Sequence, residues 1–263
     1  MEIININSWD DFSQEIKKLR NRYEDFYNPA KLLFRGVGDS NWNLDTTLER
    51  KTKRSFTVYD YLNLVIGFVG ELETYMNKSW NILPELKLDE FKGGTYPPLQ
   101  FFDYLVFLRH HGFPSPLLDW TESPYIAAYF AFSDKIKNAD RVAIYAYIER
   151  IPGHGKGGWV GAPLITTWDP RNKMHIRHFA QKARYTTATT LNKNGLQMFC
   201  HHEKVFNKNK KQDVLTKITI PVSDRIKALK ELSDYNINHF TLFQTEDSLV
   251  KTIAIRELDI NLG

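Results

Sequence analysis

The sequence is poor in the features that mark secreted, membrane-bound and disulfide-stabilised proteins. It has one cysteine, Cys200, among 263 residues, so no disulfide can form within the chain, which favours a reducing compartment. No apolar run approaches the roughly 18 residues that a membrane-spanning helix needs. The opening residues, MEIININSWDDF, contain neither the basic nor the apolar part of a secretory signal. We therefore expect a cytoplasmic protein with no membrane partner.

Strong net charge, internal repeats and low-complexity linkers are also missing. The net charge is only +4, and much of the excess lies in NKNKKQD (207–213), which is typical of a solvated turn. The hydrophobic fraction of 42% is enough for a real core. We expect a single folded domain over 1–263, with an N-terminal helix within 1–30 and the core in 31–263.

Helical and strand-like patterns alternate irregularly along the chain. Helical patterns cover 8–23, 56–80, 98–110, 125–136, 174–183, 222–235 and 246–258, and strand-like runs cover 32–37, 141–150, 185–190, 214–220 and 239–243. The two kinds do not follow strict βαβ order. The pattern therefore favours an α+β fold over a doubly wound parallel sheet.

The run LLFRGV (32–37) places Arg35 inside an otherwise apolar strand. A guanidinium is costly to bury without a partner. The sequence therefore predicts a partner for Arg35, either elsewhere in the protein or on a ligand.

The segment RHHGFPSPLLDWTESPYIAAYFA (109–131) gathers polar side chains at the entrance of an apolar helix. Such a cluster builds either a site or an internal hydrogen-bond network. In the network interpretation, Asp119 caps a turn, Trp120 fills the core, and Thr121 or Ser123 caps the helix. In the site interpretation, these side chains and His110 contact a ligand.

Three blocks of the chain resemble the hallmark blocks of the FRG-domain family, which is named for Phe-Arg-Gly. They are LLFRG (32–36), RHHGFPSPLLDWTESPYIAAYFA (109–131) and RHFAQKARYT (177–186), and they occur in the family's order. With the terminal helices, the resemblance extends over nearly the whole chain. One departure is Ser115-Pro116, where the family usually has Thr-Arg. Members of this family recur in bacterial and phage genomes.

A second, more distant similarity links the chain to ADP-ribosyltransferases of the arginine–serine–glutamate type. Phe34-Arg35-Gly36 is similar to their first motif, and Thr121-Glu122-Ser123 followed by Ala128–Ala131 resembles their second. This similarity implies a split β-sheet core with flanking helices and NAD as the substrate. Arg35 would then bind the ligand diphosphate, because a guanidinium contacts phosphate bidentately, or Asp119 when no ligand is present.

The same similarity assigns further residues to the NAD site. Hydroxyl groups near the helix start would contact the ribose, and an aromatic ring would stack on a ligand ring. The implied ligand-binding residues are Arg35, Gly36, His110, Asp119, Trp120, Thr121, Ser123 and Tyr129.

The catalytic glutamate of these transferases has two candidate counterparts here. Glu246 follows Gln244 in FQTED, in the Gln-x-Glu pattern of some transferases, and would stabilise the oxocarbenium ion as nicotinamide leaves. Gln181 in RHFAQKARYT stands just before a strand-like run, where the catalytic position belongs. The predicted catalytic set is therefore Glu246, Gln181 and Arg35.

Histidines provide a competing constellation. HIRH (175–178) and CHHE (200–203) place four histidines and Cys200 within about thirty residues, enough ligands for zinc. Neither a CxxC nor an HExxH pattern supports this, and we expect no metal.

The sequence thus predicts an NAD-dependent ADP-ribosyltransferase-like enzyme or NAD glycohydrolase, which the resemblance makes a bacterial or phage conflict effector such as a toxin. NAD and an unidentified protein or nucleic-acid acceptor are the expected partners. A non-catalytic nucleotide-binding module is one alternative, and it would lack a positioned glutamate. A nucleic-acid-binding or processing protein is another, and it requires a contiguous basic face.

Overall fold

The computed structural model describes residues 1–24, 30–80, 82, 86–92, 101–158, 161–169 and 176–262. Within them, the strands are β1 (Glu2–Asn5), β2 (Leu33–Val37), β3 (Leu118–Thr121), β4 (Arg141–Arg150), β5 (Leu164–Trp168), β6 (Ala183–Leu191), β7 (Gln197–Phe199) and β8 (Gln212–Pro221). The helices are α1 (Phe12–Tyr23), α2 (Thr47–Lys51), α3 (Val58–Ile66), α4 (Val69–Met76), α5 (Phe102–His110), α6 (Pro124–Phe132), α7 (Ile176–Ala180), α8 (Arg225–Asp234), α9 (His239–Phe243) and α10 (Glu246–Ala254), followed by a π-helical turn at Ile255–Ile260.

The strands form one mixed sheet. Their order is β1-β8-β4-β2-β3-β6-β5, and β7 pairs with β6. Strands β1 and β8 are parallel, and the other neighbours are antiparallel. An open sheet with flanking helices confirms the mixed α and β class predicted from the sequence. None of the described helices has the length and apolar composition that crossing a membrane requires.

The sheet has a weak joint between β2 and β3, at its centre. These strands pair only at Phe34 and Thr121, whereas β2 pairs with β4 along its whole length. One hydrophobic core packs α1, α6 and α8 on the half-sheet that contains β4 and β8. A second core packs α3 and α5 on the half-sheet that contains β6.

A third core connects the two half-sheets. It contains Leu33 from β2, Trp120 from β3, Tyr147 from β4 and Ile165 from β5. The indole Nε1 of Trp120 donates to Thr186 Oγ1 at 2.9 Å, so the buried indole has a hydrogen-bond acceptor. The halves are therefore held together by this core more than by β2–β3 backbone pairing.

Several predicted elements are confirmed with small shifts of boundary. The helical pattern of 56–80 divides into α3 and α4 around Gly67, as its glycine indicates. The predicted helix 98–110 is observed from Phe102, and its first positions, 98–100, lie outside the described residues. Positions 174–175 of the predicted helix 174–183 also lie outside them. At α6, Ser123 is the N-cap, and its side chain accepts from the Ile126 amide.

The predicted strand at 239–243 is wrong, because this run is helix α9. Asn238 caps its start in a reciprocal pair with Thr241, and Gln244 ends it in the left-handed conformation. A short apolar run does not by itself separate a strand from a buried helix. The helix predicted over 222–235 begins later than expected, because Ser223 lies in a 3₁₀ turn and α8 begins at Arg225.

Gly36 allows β2 and α6 to lie in contact. A Cβ at this position would lie 1.8 Å from the Ala127 carbonyl oxygen and 2.7 Å from the Ala131 amide nitrogen. Both are backbone atoms of α6, which cannot rotate away. The Phe-Arg-Gly sequence therefore needs glycine because α6 is packed directly on the strand.

We expect Gly36→Ala to destabilise the protein by about 3 kcal/mol or more, since the helix must move away from the sheet. Gly70→Ala is the matched control, because it lies within α4 and its Cβ would meet no atom within 4 Å. That change should be neutral or stabilising by about 0.5–1 kcal/mol. Urea unfolding measures both, and equal stabilities for the two variants would contradict the packing argument.

Candidate functional site

A cleft of about 930 Å³ opens at the joint between the half-sheets. Its walls come from β2, β3, the end of α5, one face of α6, α7 and α9, and from the segment between β2 and α2. The lining residues used below are Arg35, Asn41, Trp42, Asn43, Asp45, Arg50, Arg109, His110, Asp119, Thr121, Phe130, Arg177, Gln181, Tyr185 and Phe243. A cleft of this size is within the range of small-molecule sites.

Arg35 extends across the joint and binds Asp119. Its Nη1 donates to the Asp119 carbonyl oxygen at 2.6 Å and lies 3.7 Å from Asp119 Oδ2. Arg109, in the last turn of α5, donates from Nη2 to the same Oδ2. Asp119 thus holds two guanidinium groups, and the expected Arg35–Asp119 pairing is present in the protein without a ligand.

Positive charge exceeds negative charge around this cluster. The Nε atoms of Arg35 and Arg109 are buried and donate to no acceptor within the described residues. Burial lowers the pKa of Arg35 to about 10; Asp119 opposes that shift, and the charges of Arg109 and Arg50 add to it. The guanidinium stays protonated at neutral pH. One carboxylate therefore faces three nearby arginines, an arrangement that favours an additional anion.

Arg50 is held at the cleft by the anchoring of α2. Thr46 and Glu49 cap this helix reciprocally. The Leu48 amide donates to the Ser115 carbonyl oxygen at 3.1 Å, and the Ser115 amide donates to Thr47 Oγ1 at 3.0 Å. Ser115 thus connects α2 to the segment after α5. The exposed Arg50 side chain is brought near Arg35 in this way.

Asp119 stays ionised in this setting. Burial raises the pKa of Asp119, but the positive charges of Arg109 and Arg35 outweigh it and hold the pKa below its usual value of 3.8. His110 Nε2 lies 2.8 Å from the Tyr185 hydroxyl beside it. His178 approaches the same hydroxyl, and burial lowers its pKa to about 4. His178 is therefore neutral at physiological pH.

Thr121 and Gln181 meet on the other side of the cleft. The Thr121 hydroxyl donates to the Gln181 carbonyl oxygen at 2.7 Å. The side-chain Nε2 of Gln181 donates to the Leu242 carbonyl oxygen at 3.1 Å, which connects the end of α7 to α9. Arg177 Nε donates to the Phe243 carbonyl oxygen at 3.2 Å in the same region. Side chains from β3, α7 and α9 thus form one wall.

The predicted site residues divide into those that line the cleft and those that do not. Lining positions include Arg35, Gly36, His110, Asp119, Trp120, Thr121 and Gln181. Trp120 is almost fully buried and packs mainly in the third core. Ser123 and Tyr129 are absent from the lining; Ser123 caps α6, and Tyr129 lies in the first core.

Glu246 is also absent from the lining. It is an exposed residue in the first turn of α10. The acidic residues among the described lining are Asp45, Asp119 and Asp134. The structure thus brings Gln181, and not Glu246, to the arginine cluster.

Sequence reasoning missed three arginines of the cleft. Arg109 is the first residue of the 109–131 block and precedes His110, so its place in that block could have marked it as a site residue. Arg50 and Arg177 carry no comparable signal, because their role depends on how α2 and α7 pack. The segment Asn41-Trp42-Asn43 was also missed, since it has no pattern beyond a turn.

Among the described residues, the histidines and Cys200 do not assemble into the zinc site considered from the sequence. His202 lies 2.9 Å from Thr186 Oγ1, and His178 faces Tyr185; His175 lies outside the described residues. His201 lies 3.1 Å from Glu49 and 3.7 Å from Asp45. In the described ranges, Asp45, Glu49 and His201 are the one group of three possible metal ligands.

Comparison with known proteins gives one match to a family model. Residues 30–140 match the family model of the FRG domain, which supports the resemblance in the first two blocks. The third block, 177–186, lies outside this match. No curated protein and no solved structure matches the chain.

We expect Asp119→Asn to lower stability by about 1–3 kcal/mol at neutral pH, since two buried guanidinium groups lose their counter-ion. The folded-state pKa of Asp119 is depressed, so its contribution is complete above the unfolded pKa of 3.8 and is lost as the pH falls below it. The stability difference from wild type should therefore shrink below about pH 4. Denaturant unfolding between neutral and acidic pH measures it.

Asp234→Asn, at an exposed carboxylate at the end of α8, is the control and should show no comparable dependence. A difference between wild type and Asp119→Asn that is constant over the whole pH range would contradict the ion-pair assignment.

Proposed function

We propose that the cleft binds a nucleotide that carries a diphosphate, with NAD as the first candidate. The observation that carries this proposal is the pair of buried Nε donors on Arg35 and Arg109. The described residues supply no acceptor to either, and the two charges share one carboxylate. A diphosphate supplies both the missing acceptors and the missing negative charge. Because guanidinium groups match phosphate oxygens bidentately, arginine is better suited here than lysine.

The position of the charge favours a small ligand over a nucleic acid. The arginines lie inside a cleft, two of them with less than a fifth of the side chain exposed. Binding along a nucleic-acid backbone needs a basic face that follows many phosphates. A cleft at the centre of a sheet instead encloses a few phosphates of a small molecule.

NAD cleavage by an ADP-ribosyltransferase-like mechanism is the second candidate. It is favoured by Gln181 and Thr121, which lie at the same cleft as the arginines. In such a reaction the bond from the ribose to nicotinamide breaks, nicotinamide leaves with the bonding electron pair, and an acceptor or water attacks the ribose carbon. We assign the ribose contacts to Gln181 and Thr121, because both line the cleft. The roles as a toxin or in defence stay predictions from the resemblance.

Binding is tested by calorimetry with NAD, ADP and pyrophosphate on wild type, Arg50→Ala and Arg35→Lys. Both variants should bind each ligand about tenfold to a hundredfold more weakly, because Arg50→Ala removes a charge-assisted contact to phosphate and Arg35→Lys removes the bidentate one. Arg20→Ala, on the exposed face of α1, is the control and should bind as wild type. Far-UV circular dichroism checks that Arg35→Lys is folded. Unchanged affinity in both cleft variants would contradict the proposal.

Catalysis is tested by nicotinamide release from NAD. If the protein cleaves NAD, we expect Gln181→Ala to lower the rate and Glu246→Gln to leave it unchanged, since only Gln181 lines the cleft. Loss of release in Glu246→Gln would assign catalysis to the exposed glutamate instead. Binding of NAD with no release, in the presence of candidate protein and nucleic-acid acceptors, would support the non-catalytic module.

A further inference from the structure

The segment that follows β2 contributes three consecutive side chains to the cleft. Asn41, Trp42 and Asn43 line it together with Arg35, and all three are exposed. None of them is used in phosphate binding as proposed above. An indole flanked by two amides offers both a stacking face and hydrogen-bonding groups, which are the two features that recognise a nucleobase.

The backbone of this segment is fixed to the sheet. The Ser40 amide donates to the Arg141 carbonyl oxygen at 2.8 Å, and Lys217 Nζ donates to the Ser40 carbonyl oxygen. The Asn41 amide donates to Asp39 Oδ1 at 2.8 Å. The Tyr145 hydroxyl donates to the Trp42 carbonyl oxygen at 3.2 Å. Anchoring to β4 and β8 thus fixes the segment before any ligand binds, which reduces the entropy cost of binding.

Trp42 differs from the other described tryptophans. Its exposed fraction is 48%, whereas Trp9, Trp80, Trp120 and Trp168 do not exceed 8%. Across the ranges that the structure describes, its indole stacks on no other aromatic ring. A large aromatic face on a fixed backbone at the mouth of a cleft is therefore available to a planar ligand group.

The other accessible aromatic side chains of the cleft are less available. Phe130 and Phe243 pack edge to face at 6.1 Å. The guanidinium of Arg177 lies over the Phe243 ring, 5.6 Å from its centroid. Phe243 therefore already has a partner for its π-face.

We infer that Trp42 stacks on the base of the nucleotide whose phosphates contact Arg35 and Arg109, and that Asn41 and Asn43 bind the edge of that base. This inference rests on the proposed function, because it assumes that phosphate binds at the arginines. It adds that the ligand must carry an aromatic base and that the cleft has a base end and a phosphate end.

The experiment compares ADP with pyrophosphate, which has the phosphates without the base. We expect Trp42→Ala to bind ADP about tenfold more weakly and pyrophosphate unchanged, since only the base contacts the indole. Trp42→Phe, which keeps an aromatic face, should recover most of the ADP affinity. Tyr75→Ala is the control, because it truncates an exposed aromatic side chain on α4 that does not line the cleft. Because Trp42 is exposed, its replacement should not disturb folding.

The outcomes separate this inference from the proposed function. One result is that wild type and Trp42→Ala bind ADP with equal affinity, that both bind pyrophosphate, and that Arg50→Ala does not bind it. This result overturns the base site alone. No binding of ADP or pyrophosphate to wild type overturns both. Intrinsic fluorescence gives an independent readout, since ADP should quench wild type and quench Trp42→Phe much less. Identical quenching in the two proteins also overturns the assignment to Trp42.

Discussion

The structure depends on the Arg35 guanidinium, which takes the place of backbone pairing between β2 and β3 at the centre of the sheet. Strands β2 and β3 pair at Phe34 and Thr121 and not beyond. The Asp119 carbonyl oxygen then accepts from Arg35 rather than from a β2 amide. A buried carbonyl oxygen needs a hydrogen-bond donor. Arg35 supplies that donor to β3, and space remains between the two strands. The same contact that completes the sheet therefore creates the cleft.

Asp119 keeps the cationic cluster together. Arg35 and Arg109 come from a strand and a helix far apart in sequence, and their charges repel each other. The shared carboxylate offsets that repulsion, and among the described residues the two Nε donors still have no acceptor. Donors fixed by the fold bind an anion without the cost of reorganising side chains.

The sequence was informative where local rules decide the structure. The strand around Arg35, the break at Gly67 and the Ser123 cap follow from side-chain pattern and from capping chemistry. The match over 30–140 also agrees with the first two blocks quoted from the sequence. The cost of burying an unpaired guanidinium predicted a partner for Arg35, and the resemblance supplied Asp119 as that partner.

The rest depends on tertiary packing that no local pattern contains. α9 is a helix because Asn238 and Gln244 end it on both sides, although its five residues alternate as a strand would. β3 is a strand because β6 pairs with Leu118–Thr121, in a block that otherwise resembles a loop. Arg50 and Arg177 reach the cleft only because α2 and α7 pack where they do. The positions of these residues and elements are set by contacts in the assembled sheet and its helices.

Arg35 and the Asn41–Asn43 segment are both held by the half-sheet that contains β2, β4 and β8. Arg35 lies on β2, and the Asn41–Asn43 segment leaves β2 and is fixed to β4 and β8 by Tyr145 and Lys217. Gly36 lets α6 lie against β2 between these ends. Arg35 thus lies on a strand, and Trp42 lies in a loop whose backbone is fixed to the neighbouring strands. A ligand that carries both an anion and an aromatic ring gains both contacts for one loss of translational freedom.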